Sequence, residues 1–487
     1  MTTLTPPSEF LAACPKFRLL VLGSPESTKL ELFTKIFGVD LEKHLVDEGF
    51  SANHDIEKEL DLHSQNDPLA IHTSLNFGTG DGARYDRVSD FLISRSTAST
   101  KPEDSIHCIW YCVASEEDRQ VADLETRFFT SGLHAAAPGV PLVLVFTKYE
   151  EFVGQVKLDW SRDAQERGLS KVAVSHILRD LSSKKFEKEI GRRWDDLLNG
   201  TIPRVCVSSG DDEDDERSCE ELALRTLSTL REKGIRYAFG TAQRNSALIS
   251  TKFAADTASS YFEVDTGHAR KLHGIAMRDI LPNFFTKAIQ LFNLRDPTST
   301  LTADPALLFR ALDATFDASQ KALLADCLRS SGTEPGSLLN NLTPHERAVL
   351  LTQALAAALL FLHRLADAQW PHESFLAPHT LTPAAVTRQL DEIRRGREGR
   401  EVLETVEASP IFTSCTLRKG VADLIVRAVE RADAVRAGAG GNHHHGAPRA
   451  LIVEDDSELQ EISLSFVNDK GPDDMVLPCG LTILPLT

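Results

Sequence analysis

The 487-residue chain carries 71 acidic against 53 basic side chains, a formal charge of −18, and 42% of its residues are hydrophobic. That apolar share supports a sizeable core and excludes global disorder, and the length suits two or three domains of roughly 100–200 residues each. So negative a surface repels phosphate backbones and anionic lipid headgroups, which argues against a nucleic acid or a membrane surface as the partner.

In chain order, residues 1–15 read as a leader without the basic and apolar regions of a signal peptide. Phe17 to Leu22 (FRLLVL) reads as a buried strand, followed by a loop from Gly23 and a helical pattern with Leu32, Phe33, Ile36 and Phe37 on one face. Further apolar runs follow at Leu69 to His72, His107 to Val113, Pro141 to Phe146 and Arg204 to Ser208. Helical candidates lie between and after them at Asp86 to Arg95, Arg119 to Phe129 and Cys219 to Lys233. Continuous apolar strands alternating with amphipathic helices predict a parallel-rich sheet covered by helices on both faces, in a domain over residues 16–238.

From residue 239 to 437 the strand signal fades. Pro305 to Leu328, His345 to Ala366, Ala384 to Arg395 and Gly420 to Arg436 have helical spacing and predict a mostly α-helical second domain. Its most apolar stretch, Val349 to Leu362, spans 14 residues, short of the roughly 20 that a membrane span needs, so a buried core helix is expected and no membrane span. Residues 438–449 form a Gly/Ala-rich flexible linker, and residues 450–487 suggest a short β tail.

The eight cysteines are scattered without a C-x-x-C pair, a pattern expected of reduced, buried thiols in a cytoplasmic protein. Cys108 and Cys112 fall inside a predicted strand and read as inert core thiols. His443, His444 and His445 lie in the linker without carboxylate or thiol partners, and the 16 histidines show no metal-ligand spacing, so no metal site is expected. The acidic run Asp211 to Glu216 reads as a solvated loop. No catalytic constellation stands out, and the helical half offers no catalytic motif.

The most chemically suggestive segment is Gly23-Ser-Pro-Glu-Ser27-Thr28-Lys29-Leu30, placed between a strand and a helix. A phosphate-binding loop has the pattern G-x-x-x-x-G-K-[ST]. The first Gly and the Lys are kept, whereas Thr28 replaces the second Gly and Leu30 the Ser/Thr. Thr28 adds a Cβ where backbone approaches phosphate, Pro25 deletes one N–H, and Leu30 has no hydroxyl for magnesium.

With FRLLVLG, HDIEKEL (54–60), AIHTSLNFGTGD (70–81), DRVSDFLISR (86–95), HCIWYCV (107–113) and VLVFTKYEE (143–151) in order, the chain resembles a large fungal family of G-domain proteins related to septin-like and dynamin-like GTPases. The resemblance covers residues 16–235 approximately. It implies an α/β P-loop G domain followed by the α-helical domain and the β tail. It also implies a nucleotide site made by Gly23, Ser27, Thr28, Lys29 and Leu30 on the phosphates, Thr147, Lys148 and Glu150 at the base, and Ser208 and Ser209 near the base carbonyl. Asn53 stands where the switch threonine is expected. Thr73-Ser-Leu-Asn76-Phe stands where the family has Asp-Ser-x-Gly-Phe, so the magnesium carboxylate and the γ-phosphate glycine are both replaced.

Base recognition is thus largely retained, and the metal and γ-phosphate half is decayed. Phosphoryl transfer depends on positioning and on charge neutralisation by magnesium, so hydrolysis is not expected. The implied function is a pseudo-GTPase scaffold with weak or no GTP/GDP binding, little use of Mg2+, and a protein partner or self-association. Two alternatives stay open: a working switch with Asn53, Thr73, Ser74 and Asp81 as rearranged ligands, and an inactive subunit of a septin- or dynamin-like oligomer.

Overall fold

The computed structural model describes residues 11–23, 28–41, 56–60, 62–74, 77, 82–97, 99–116, 121–164, 171–198, 202–208, 213–259, 262, 277–294, 296, 299–304, 306–329, 342–370, 381–409 and 417–439. Residues 1–436 group into one compact unit, and the remainder into a second. The linker histidines and the β tail expected from the sequence lie outside the described residues.

Five strands form one sheet: β1 (Phe17–Gly23), β2 (Leu69–Thr73), β3 (Cys108–Ala114), β4 (Leu142–Thr147) and β5 (Arg204–Cys206). Their order is β2-β1-β3-β4-β5, and every pairing is parallel. Side chains alternate across the sheet with period two. Phe17, Leu19 and Val21 join Cys108, Trp110 and Cys112 on one face, while Leu20 and Leu22 join Ile109, Tyr111 and Val113 on the other. Both faces are buried, which is why these strands read as continuous apolar runs.

The helices that matter below are α1 (Thr28–Phe37), α2 (Gly82–Arg95), α3 (Tyr149–Ala164), α4 (Lys171–Phe186), α5 (Glu213–Thr229), α6 (Lys233–Ala242), α7 (Ala247–Ser259), α8 (Met277–Phe292), α9 (Leu307–Thr315), α10 (Pro344–Gln369), α11 (Pro383–Arg395), α12 (Glu398–Glu407) and α13 (Leu417–Ala439). Val88, Phe91 and Leu92 of α2, Phe152 and Val156 of α3 and Phe186 of α4 cover the second face. Helices α1, α5 and α6 cover the first. Trp110 lies against Phe33 and Phe37 of α1 and donates its indole N–H to Thr226 Oγ1 of α5 at 3.0 Å.

The first face continues into the helical half without a break. Phe239 of α6 meets Phe17 and Phe37 edge-on. A polar junction closes around it: Asn66 donates to the carbonyls of Phe37 and Ala242, each at 2.8 Å, and Arg244 to Gln65 O and Asn293 Oδ1 at 2.7 and 3.2 Å. One core therefore serves the sheet and the helices among the described residues.

Helix α10 is the axis of the helical half. Thr343 and Glu346 form a capping box at its start, with Pro344 in the first turn. Its apolar stretch is long enough to span a membrane by length and composition, but 94% of that window is buried against the surrounding helices. It is a core helix, as the sequence reading expects. One sequence expectation needs correcting: the acidic run is helical from Glu213 onward, where carboxylates suit a helix N-terminus. The helical segment expected over 305–328 is built as two helices, α9 and Ala318–Arg329, separated at Phe316.

Candidate functional site

In an open parallel sheet, ligands sit beyond the carboxyl ends of the strands, where the strand order reverses. Here β2 and β3 flank β1 on opposite sides, so the reversal falls between β1 and β3. β1 ends there on Gly23, whose φ is +113°. A Cβ at this position would run into the carbonyl of Cys112, its partner on β3. Glycine is required both for the left-handed turn and for the close approach. The chain leaves the sheet here, and α1 begins at Thr28, five residues later.

Thr28, Lys29 and Leu30 form the first turn of α1, with side chains outside the described set. Ser27, Asn53, Asn76, Asp81 and Ser209 also lie outside the described residues. Gly23, Thr73, Thr147, Lys148, Glu150 and Ser208 are placed, and all lie at the carboxyl edge of the sheet or in the residues just beyond it. Pairing of Gly23 with Cys112 and of Ala114 with Thr147 puts Thr147 two strands away from Gly23. That is about 10 Å sideways at the usual strand spacing.

Hydroxyls line this edge. Thr73, Ser74, Ser115, Thr147 and Ser208 are each more than nine-tenths buried. Their backbones extend the sheet by one more step: Ser74 N–H donates to Val21 O at 3.1 Å and Ser115 N–H to Thr147 O at 2.9 Å. Thr147 Oγ1 donates to Val113 O at 3.3 Å, and Ser208 N–H to Ser218 Oγ at 3.2 Å. Ser115 Oγ is buried without a hydrogen-bond partner among the described residues. The Tyr149 N–H reaches Val207 O at 3.4 Å and ties the start of α3 to the end of β5. This contact places the β4–α3 corner, Thr147 to Glu150, beside the residues that follow β5.

Lys148 turns the corner between β4 and α3 with φ +56°, an uncommon conformation for a non-glycine residue. Its ammonium lies 3.8 Å from Glu151 Oε1, and the side chain is 22% exposed. At the end of β2 the residues are Thr73 and Ser74, with no carboxylate. The thiol of Cys206, at the carboxyl end of β5, is a poor nucleophile, since burial pushes its pKa up; burial likewise raises Cys108, at the far end of β3, to about 12. His72, behind Thr73, is held neutral by burial at about 4, and its Nδ1–H donates to Ile56 O at 2.9 Å.

Two buried polar groupings escape the sequence reading. Glu125 is fully buried beneath the sheet, accepting from Tyr111 Oη at 2.6 Å and from the Ala122 N–H at 2.9 Å. In the helical half, His363 and Asp367 of α10 meet Asp433 of α13. His363 and Asp367 are four apart on one helix, a spacing visible in the sequence; Asp433 is 66 residues further along, and only the fold brings it in. Burial opposes charge on His363, but Asp367 and Asp433 outweigh it and raise its pKa.

No family model matches the chain, and no curated protein matches it.

Proposed function

We propose that this chain is a G-domain protein whose nucleotide machinery has decayed: a scaffold that binds a protein partner, holds guanine nucleotide weakly or not at all, and does not hydrolyse it. The observation that carries the reading is the turn at Gly23. It takes the chain from β1 into α1 at the point where strand order reverses, with Thr147, Lys148 and Ser208 on the same edge. A phosphate loop needs that place in a sheet, and base recognition needs those neighbours.

The absence of a metal-binding carboxylate at the end of β2, together with Leu30 in α1, favours decay over a working switch. Magnesium prefers carboxylate, water and phosphate oxygens in octahedral array, and this edge offers neutral hydroxyls that are already buried and partly committed to backbone.

The test is nucleotide content and response. Purified protein, denatured and chromatographed, releases less than one equivalent of guanine nucleotide per chain. GDP at about 100 times its Kd would stabilise the fold by about 2.7 kcal/mol, with or without magnesium. Brisk magnesium-dependent phosphate release from GTP would show that the machinery has not decayed. Thr28→Gly combined with Leu30→Ser raises magnesium-dependent affinity; if it leaves affinity unchanged, the loop assignment itself fails.

A further inference from the structure

The cluster of His363, Asp367 and Asp433 lies outside the sheet edge and takes no part in nucleotide recognition there. His363 Nε2 stands 3.6 Å from Asp367 Oδ2 and 3.5 Å from Asp433 Oδ2. These separations are long for hydrogen bonds. They are close to the spacing of about 3.3 Å between neighbouring ligand atoms around a tetrahedral ion with bonds of roughly 2.0–2.1 Å.

The imidazole is oriented for this task. Thr251 of α7 donates its single hydroxyl proton to Ala247 O at 2.9 Å. With its proton so engaged, the hydroxyl is placed to accept from Nδ1–H at its 3.0 Å contact with His363 Nδ1, which favours the tautomer protonated there. In the neutral ring Nε2 then presents a lone pair to the space shared with the two carboxylates. Ligating histidines are oriented in this way by a hydrogen bond from their other ring nitrogen.

Carboxylates crowd the cluster: Arg364 faces Asp367, Asp433, Glu392 and Glu398, while Arg436 lies beside Asp367 and Arg388 beside Glu392. Arg364 is 5% exposed and aimed into the cluster, 3.5 Å from Asp433 Oδ1, yet its Nε and Nη1 make no hydrogen bonds among the described residues. Asp433 turns Oδ2 to the histidine and Oδ1 to this arginine, as a ligating carboxylate held by an outer partner would. Both aspartates are about one-third exposed, so the cluster opens to solvent on one side.

We propose that His363 Nε2, Asp367 Oδ2 and Asp433 Oδ2 bind a divalent transition-metal ion that fastens α13 to α10. One imidazole and two carboxylates suit zinc, manganese or ferrous iron rather than a soft-metal site. The fourth position is left for water.

The experiment uses the full chain with His443, His444 and His445 changed to alanine, since that tract is a competing binder. Equilibrium dialysis with zinc, and separately with manganese, is expected to give one equivalent of ion per chain and a raised melting temperature. His363→Ala abolishes that equivalent. Asp433→Asn, which keeps shape and removes charge, retains the fold by circular dichroism and loses the ion even where His363→Ala folds poorly. Thr251→Val, a positioning change, weakens binding about 10–100-fold. The proposal is overturned if the linker-substituted chain binds neither ion, or if folded Asp433→Asn binds as tightly as its parent. Nucleotide content is independent of this result, so failure here leaves the sheet-edge proposal standing.

Discussion

His72 and His107 in the sheet half and His363 in the helical half are buried alike, yet they answer burial in opposite directions. Desolvation holds His72 and His107 neutral, near 4. His107 is fixed as one tautomer, accepting the Arg18 N–H at Nδ1 (3.0 Å) and donating from Nε2 to Pro102 O (2.7 Å). At His363 the same penalty is outweighed by two aspartates. At His72 and His107 burial acts with the nearby Arg18 guanidinium against charge, whereas at His363 two carboxylates reverse the outcome. The sheet half thus keeps these two histidines neutral behind a hydroxyl-lined edge, and the helical half gathers His363 and Arg364 with several carboxylates in one cluster.

The largest expected effect tests that cluster. Arg364→Ala removes a buried cation from among four carboxylates and should destabilise by about 3–5 kcal/mol, read from urea unfolding. A loss below about 1 kcal/mol would mean that water already screens these charges as it does at a surface, and the contrast between the halves would fail.

At the sheet edge the corresponding break is steric. Gly23→Ala forces a Cβ against the Cys112 carbonyl in a conformation that favours glycine, for an expected loss of about 2–4 kcal/mol. Gly82→Ala is the control: nothing lies within 4 Å of a Cβ there, and the change should stay within about 0.5 kcal/mol. Equal losses at the two glycines would mean that the turn and the close approach place no special demand on Gly23.

Acid distinguishes the halves next. Folded His72 and His107 sit near 4, below the ordinary value of about 6.5, so the unfolded chain binds protons first as pH falls. Their contribution is complete above pH 6.5 and is lost between 6.5 and 4, at up to about 1.4 kcal/mol per pH unit for each histidine. His107→Asn should flatten this limb in urea unfolding repeated across pH. A limb left unchanged would place the acid sensitivity elsewhere.

Much of the sheet was legible because buried parallel strands are continuous apolar runs, and all five appear within one or two residues of their sequence limits. Helix α10 was legible for the same reason. The α3 and α4 helices were not named: Tyr149–Ala164 and Lys171–Phe186 mix charges through their length, and their apolar contacts, Phe152, Val156 and Phe186, are few and widely spaced. At the candidate site, the positions of Gly23, Thr147, Lys148 and Ser208 followed from strand ends. Ser115 was invisible because nothing local marks a serine that a strand pairing will bury. The His363 cluster was half visible, as an i, i+4 pair whose third member arrives by tertiary packing alone.

The smallest expected effect is at Lys148. Its left-handed backbone costs about 1–2 kcal/mol for any residue with a Cβ. Its ion pair with Glu151, 3.8 Å long and two-thirds exposed on the glutamate side, returns less than about 1 kcal/mol. Lys148→Gly removes the strain at an entropic cost of about 0.5–1 kcal/mol, for a net stabilisation of up to about 1 kcal/mol. Lys148→Ala keeps the Cβ and should be neutral or slightly destabilising. Both remove the stem and ammonium, so both should erase any preference for guanine over adenine nucleotides in thermal shift. Preference that survives both changes would detach Lys148 from base recognition and leave the strained corner as a feature of the β4–α3 turn alone.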